Sequence, residues 1–190
     1  MRKQYYYTLN SLPSLVFGAP PPICSKDFLD MSQTELVAKD FHILESSLIF
    51  QVDLEKAPLG VLERWYDWET GIRNKLVSLR AAKLGLDPKE YTRSRGSDPS
   101  SFSLAEDAFQ TEPPYASEEK LDRARWMFLE ELESTHYFDI EKLIIYFLKL
   151  QILERRSFFD KKKGAERLVE VVSQVDNIWS KEGKVGFCDG

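Results

Sequence analysis

The chain is poor in the residues that form disulfides or bind transition metals. Its 190 residues include two cysteines, Cys24 and Cys188, and two histidines, His42 and His136. A small secreted scaffold would carry more cysteines, and no Cys-x-x-Cys pair is present. Two histidines without such a pair also argue against a zinc site. We therefore expect reduced thiols in a cytosolic protein and no bound metal.

Sequence signatures of enzymes are missing as well. There is no glycine-rich phosphate loop, no Gly-x-Lys-Ser/Thr and no Ser or Cys nucleophile in a recognisable turn. Adjacent acids such as Glu118 and Glu119 point in different directions on a helix, which is typical of a solvated face. For His136, close to Glu133, an interaction with a helix C-terminus is favoured over proton transfer. The sequence predicts no catalytic residue and no cofactor.

The chain also lacks a basic face and a long hydrophobic run. Its net charge is −5, and the basic clusters at 155–156 and 161–163 are short and flanked by acids. Nucleic-acid-binding proteins usually carry a basic surface, so no nucleic-acid partner is expected. The most apolar stretch, Ile140 to Leu153, is interrupted by charges and falls short of the ~20 apolar residues of a membrane span. We expect a cytoplasmic protein without a span.

Large aromatic residues and helical periodicity are abundant instead. The chain contains 12 Phe, 8 Tyr and 4 Trp and is 43% hydrophobic, enough for a substantial core. Strand patterns are scarce, and apolar residues recur at spacings of three and four. The sequence predicts an all-α fold, an irregular bundle of about five or six helices with an extended N-terminal arm. The arm, residues 1–24, follows from the three prolines at 20–22, which exclude a helix there.

We interpret residues 1–190 as a single domain. Its sub-regions are an N-terminal arm with short helices (1–57), a long helix (58–91), a loop or hinge (92–116) and a C-terminal helical lobe (117–190). The lobe should include a last amphipathic helix over about 168–179.

Capping residues predict where the helices begin and end. The segments 32–35 and 103–106 both match the Ser-x-x-Glu capping box. Ser117 and Asp139 are predicted N-caps of two C-terminal helices, and Gly85 is placed to end the long helix. The helix after Asp139 is apolar nearly all round, so it should be the most buried one.

The long helix mixes aromatic and charged residues. Pro58 suits its first position, and the apolar residues that follow keep helical spacing. The segment is either an ion-paired helix inside a bundle or a surface for a protein partner. For Trp65 and Trp68 a place in the core is favoured. The candidate structural or partner-contact residues of this helix are Trp65, Trp68, Glu69, Arg73, Asn74 and Arg80.

Several blocks of the chain resemble a bacterial family of uncharacterised proteins encoded in V/A-type ATP synthase operons. The blocks keep their order over most of the chain. They are Tyr5 to Pro13; Trp68-Glu69 with Arg73-Asn74 and Leu79-Arg80-Ala81; Leu121-Asp122 with Arg125-Trp126 and Phe128-Leu129-Glu130; and Tyr146 with Lys149-Leu150, Ile152-Leu153 and Arg155. Arg125, Trp126, Tyr146 and Arg155 join the candidate residues on this basis.

That family is similar, more distantly, to the C subunit of the rotary ATPases, called d in the vacuolar enzyme. The C subunit is all-α, caps the membrane c-ring and receives the end of the central shaft. The resemblance implies a non-catalytic central-stalk adaptor, peripheral to the inner face of the membrane, with central-stalk subunits and the c-ring as partners. The chain is shorter than the three-lobed C subunit. The alternative is a helical interaction module or assembly factor that is not a stable part of an ATPase.

Overall fold

The regular secondary structure in the part of the chain that the structure describes is helical. A computed structural model describes residues 4–49, 60–94 and 100–158, and these residues contain no strand. The prediction of an all-α fold is therefore confirmed. The helices are α1 (Tyr6–Ser11), α2 (Ser25–Glu35), α3 (Ala38–Glu45), α4 (Gly60–Leu84), a 3₁₀ helix (Pro88–Glu90), α5 (Ser100–Gln110), α6 (Pro114–Glu133) and α7 (Ile140–Ser157).

The chain divides into two compact units, residues 1–154 and 155–190. Within the first unit, α5 packs against both α4 and α6, and α2 packs against α3. The described residues of the second unit are 155–158, at the end of α7. The predicted single domain spans both units and stays a prediction. The predicted start of the long helix at Pro58 and the predicted helix at 168–179 lie outside the described residues.

The helix α7 supplies much of the core of the first unit. Nearly every side chain from Ile140 to Leu153 is buried, which confirms the prediction made from its apolar sequence. Phe28 of α2 stacks on Phe147 of α7 with ring centroids 5.4 Å apart. At the start of α7 the carboxylate of Asp139 accepts the backbone N–H of Lys142 at 3.0 Å, so the predicted N-cap is present.

The C-terminus of α4 ends in a Schellman motif, as Gly85 predicts. The N–H of Gly85 donates to the carbonyl of Ala82 at 3.3 Å, and the N–H of Leu86 donates to the carbonyl of Ala81 at 2.9 Å. Gly85 has a φ of +70°, a conformation that costs a residue with a Cβ about 1–2 kcal/mol.

The capping box predicted at 32–35 is wrong. Ser32 is fully buried inside α2, and the N-cap of that helix is Cys24, whose sulfur accepts the N–H of Asp27 at 3.3 Å. Helix formation begins soon after the prolines because Phe28 has a packing partner in α7. A Ser-x-x-Glu spacing occurs equally well inside a helix, and only tertiary packing separates the two cases.

The predicted N-caps at Ser103 and Ser117 are wrong as well. The helix α5 begins at Ser100, so the second half of the predicted loop 92–116 is helical. The helix α6 begins at Pro114, which occupies the first turn, where proline needs no N–H partner. The hydroxyl of Ser117 donates instead to the carbonyl of Ala108 at 2.6 Å and ties α6 to α5.

The predicted extended arm is corrected over residues 6–11, which form the helix α1. The N–H of Tyr5 donates to the carbonyl of Phe138 at 2.7 Å, and Thr8 is buried. This anchoring stabilises a helix too short to form alone. Residues 12–24 contain no helix, as the prolines predict.

Candidate functional site

Glu69 is a fully buried carboxylate in the middle of α4. It accepts a hydrogen bond from Arg73 Nε, one turn further along, at 2.9 Å. It also accepts two from Arg125 of α6, from Nε at 2.9 Å and from an Nη atom at 3.0 Å. Both oxygens of Glu69 therefore face the guanidinium group of Arg125, the paired geometry in which this interaction is strongest.

Asp122 completes this network. It lies one turn before Arg125 on α6 and accepts from Arg125 Nη1 at 2.9 Å. The side chains of Glu69, Asp122 and Arg125 are only 0%, 1% and 5% exposed. Burial alone would lower the pKa of Arg125, but the charges of Glu69 and Asp122 outweigh it and raise the pKa. Two carboxylates and two guanidinium groups leave no net charge, as burial requires.

An aromatic cluster packs beside the ion pairs on the same two helices. The rings of Trp68 and Phe128 stack in parallel with centroids 4.5 Å apart, and Trp65 lies 5.8 Å from Trp68. Trp65 and Trp68 are both buried, so both tryptophans lie in the core rather than on a surface. Offset aromatic contacts of this kind add stability beyond the area that they bury.

The structure separates the remaining α4 candidates from the buried network. Arg80 is exposed and lies seven residues, or about 10 Å of helix, beyond Arg73. The side-chain amide of Asn74 forms two hydrogen bonds with the backbone of Arg93, both 2.9 Å long. Its oxygen accepts from the N–H of Arg93, and its NH₂ group donates to the carbonyl of Arg93. It fastens the segment after the 3₁₀ helix to α4. The buried network therefore joins Glu69 and Arg73 of α4 to Arg125 of α6.

A second charged cluster surrounds Trp126. The indole N–H donates to Glu130 at 2.8 Å, and Lys149 Nζ lies 5.1 Å from the centre of the Trp126 ring system. Lys149 also forms an ion pair with Glu133, which binds Lys142 Nζ at 2.7 Å. Burial would raise the pKa of Glu133, but its hydrogen bonds to the two lysines lower it overall.

The C-terminal candidates lie at two different places on α7. The hydroxyl of Tyr146 donates to the carbonyl of Pro13 at 2.9 Å, and burial raises the pKa of Tyr146 to about 12. Tyr146 therefore fastens the N-terminal segment to α7. Arg155 is half-buried in the last turn of α7 and belongs to the second unit.

Sequence reasoning missed Asp122, Glu133 and Lys149 as members of charged clusters. Asp122 and Arg125 have the i, i+3 spacing of a helical ion pair, and that signal was available. Glu133 and Lys149 lie on different helices, 16 residues apart, and no sequence pattern pairs them.

The turn between α6 and α7 brings a histidine and two acids together. His136 Nδ1 is 2.7 Å from Asp139 Oδ2, and ligand atoms of His136, Asp139 and Glu141 lie within 4.8 Å of one another. The start of α7 accounts for this proximity, since the other oxygen of Asp139 caps the helix. The backbone N–H of His136 donates to the carbonyl of Glu133 at 3.0 Å, and the expected interaction of its side chain with a helix C-terminus stays a prediction.

Comparison with protein families places much of the chain in a known family. A family model described as "Protein of unknown function (DUF2764)" matches residues 44–178, more than half of the chain. The chain belongs to the DUF2764 family. The DUF2764 region contains α4 to α7 and with them the whole Glu69–Arg125 network. No curated protein and no solved structure matches the chain significantly. Of the helices in the described ranges, none has the length and apolarity to cross a membrane.

Proposed function

We propose that this DUF2764 protein is a non-catalytic subunit of a V/A-type rotary ATP synthase or ATPase. It would act as a central-stalk adaptor similar to the C subunit, coupling the soluble head and shaft to the membrane c-ring. The observation that carries the proposal is the buried ion-pair network between α4 and α6. The sequence blocks that resemble the operon-encoded family support it, and two of those blocks contain Glu69 and Arg125.

A part that transmits torque has to keep its helices in register under load. The helices α4 and α6 are the longest that the structure describes, with 25 and 20 residues. Their ion pairs are shielded from water, so salt screens them less than it screens surface pairs. The stacked rings of Trp68 and Phe128 hold the same two helices together. A stiff body of this kind suits an adaptor between a shaft and a ring.

The partners under this proposal are the central-stalk subunits and the c-ring, and the protein would lie at the inner face of the membrane through that complex. Arg80 is the exposed member of the α4 candidates and is the side chain available for a partner contact. The other α4 candidates serve internal packing or fasten a loop.

One observation favours the alternative, a helical interaction module or assembly factor. The first unit has one continuous core that runs from Tyr5 to Leu153. A compact unit with its own core is expected to fold without partners, and an assembly factor has to be stable both before and after it meets its target.

The test is affinity purification of the tagged protein from detergent-solubilised membranes of its native host, with mass spectrometry of the co-eluting proteins. Stoichiometric head, stalk and ring subunits would support the adaptor. Recovery of the protein alone, or with unrelated soluble partners, would contradict it. Arg80→Ala should reduce co-elution at unchanged thermal stability. Arg64→Ala, an exposed position on the same helix, serves as the matched control.

A further inference from the structure

A cavity of about 400 Å³ lies between the N-terminal segment 9–15 and the helices α6 and α7. This volume falls within the roughly 300–1,000 Å³ of small-molecule sites. Three leucines of the N-terminal segment, Leu9, Leu12 and Leu15, contribute apolar lining. Charged groups of α6 and α7 also line the cavity, among them Glu133, Lys142 and Lys149.

Two lysines in this cavity share a single carboxylate. Lys142 Nζ binds one oxygen of Glu133 at 2.7 Å, and Lys149 Nζ binds the other. Lys149 is 6% exposed, and its ammonium group also faces the ring of Trp126. Each ammonium group has three N–H donors, so donors remain on both after Glu133 has been bound. The three side chains together carry one excess positive charge.

The excess positive charge at the buried end of the cavity, near Lys149, is not cancelled by the other polar groups that line the cavity. Glu130 accepts the indole N–H of Trp126 and is exposed, so water screens its charge. Tyr146 is neutral at physiological pH, as tyrosine ordinarily is, and burial raises its pKa further, to about 12. A buried lysine beside an apolar lining favours a ligand that has one negative charge attached to an apolar group. A doubly charged anion would be repelled by Glu133, and the single excess positive charge would not compensate for its second charge.

We propose that this cavity binds a small molecule with one carboxylate group and a short apolar chain. The carboxylate bridges Lys142 and Lys149 on the side away from Glu133. The apolar chain packs against Leu9, Leu12 and Leu15. This inference is independent of the rotor-adaptor proposal, since it depends only on groups within the first unit.

The test uses hexanoate as the probe, at constant ionic strength, with isothermal titration calorimetry and thermal denaturation of the full chain. Hexanoate should bind saturably and raise Tm, whereas hexylamine and inorganic phosphate should not. Lys142→Met should weaken hexanoate binding about tenfold or more, because charge-assisted hydrogen bonds are lost. Lys120→Met is the matched control, since Lys120 pairs with Asp107 on the surface, and it should leave the affinity unchanged.

Three results would overturn the proposal: no saturable heat with hexanoate, tighter binding of phosphate than of hexanoate, or equal hexanoate affinity in Lys142→Met and the wild type. Lys149→Met is a second variant, but its buried position could impair folding. The NMR signal of the Trp126 indole N–H provides an independent measurement in the wild type. It should shift on titration with hexanoate because the ring contacts Lys149, and an unmoved signal would count against the site.

Discussion

At the scale of single residues, the role of Glu69 is decided by where its partner lies. A helix surface would give Glu69 an exposed i, i+4 pair with Arg73, worth about 0.3–0.5 kcal/mol. The structure instead buries Glu69 and pairs it with Arg125 from another helix. In that position the carboxylate stabilises the fold mainly by offsetting, together with Asp122, the positive charge of the buried Arg125.

We predict that Glu69→Ala lowers the free energy of unfolding by about 3–5 kcal/mol, because the buried guanidinium group of Arg125 loses both of its hydrogen bonds to Glu69 and the negative charge beside them. Urea denaturation followed by tryptophan fluorescence measures the change. Glu131→Ala, whose side chain is 69% exposed and only 3.6 Å from Arg64, is the control and should cost less than about 1 kcal/mol. Equal losses in the two variants would show that the network contributes no more than a surface pair.

The raised pKa values of two tyrosines, Tyr146 and Tyr5, lead us to predict a loss of stability at alkaline pH. Burial raises the pKa of Tyr146 to about 12, and burial together with a hydrogen bond to Asp40 does the same for Tyr5. A raised folded-state pKa means that the unfolded chain releases its proton first. The contribution of each buried tyrosine to the free energy of unfolding is therefore complete below pH 10 and is lost as the pH rises towards 12.

Chemical denaturation between pH 9 and pH 12 measures this effect. Tyr146→Phe should cost about 1 kcal/mol at neutral pH, since the hydrogen bond to Pro13 is lost, and should show a shallower decline above pH 10 than the wild type. Tyr7→Phe, at a side chain that is 79% exposed, should retain the wild-type profile. An identical alkaline decline in Tyr146→Phe and the wild type would exclude Tyr146 as a contributor.

At the scale of elements, side chains fasten non-helical segments to helices. Asn74 binds both backbone groups of Arg93, and Tyr146 binds the carbonyl of Pro13. Such contacts order a loop at little cost to the helix that carries them.

For Asn74→Ala we expect a local effect. The amide of Arg93 loses its acceptor, so its hydrogen exchange should become at least tenfold faster, while the global free energy of unfolding falls by no more than about 1 kcal/mol. Hydrogen exchange followed by NMR resolves the single amide. Arg80→Ala on the same helix is the control. Unchanged protection of Arg93 in Asn74→Ala would mean that other contacts hold the segment.

At the scale of the whole molecule, the first unit has one core cluster that spans its helices from Tyr5 to Leu153. A unit whose described helices share a hydrophobic core cluster is expected to unfold in one step. The variant Trp179→Phe isolates this behaviour, because its remaining tryptophans, Trp65, Trp68 and Trp126, all belong to the first unit.

In that variant, the denaturation midpoint from tryptophan fluorescence should equal the midpoint from hydrogen exchange of the α7 amides between Leu143 and Leu153. Agreement within experimental error supports a single cooperative unit. Separate midpoints would show that α7 and the α4–α6 pair unfold independently, and would weaken the case for a stiff adaptor.

Local periodicity was sufficient to predict the helical class, the buried character of α7 and its cap at Asp139, and the end of α4 at Gly85. These features depend on residues within a few positions of one another. The helix starts at Ser32 and Ser103 were predicted wrongly because a serine three residues before a glutamate is compatible with a helix interior as well as with a cap. The start at Ser117 was predicted wrongly because α6 already begins at Pro114, and the hydroxyl of Ser117 binds the carbonyl of Ala108.

The sequence by itself determined that the chain is helical and which faces are apolar, because both follow from backbone preference and spacing. Only the tertiary structure decided that Glu69 pairs with Arg125, that Tyr6–Ser11 is helical, and that Lys142 and Lys149 share Glu133. The ion pairs join side chains of different helices, and the helix at Tyr6–Ser11 follows a segment that is anchored to the carbonyl of Phe138. The free energy that these features contribute depends on burial and on charged groups from another helix. A local sequence pattern contains information on neither.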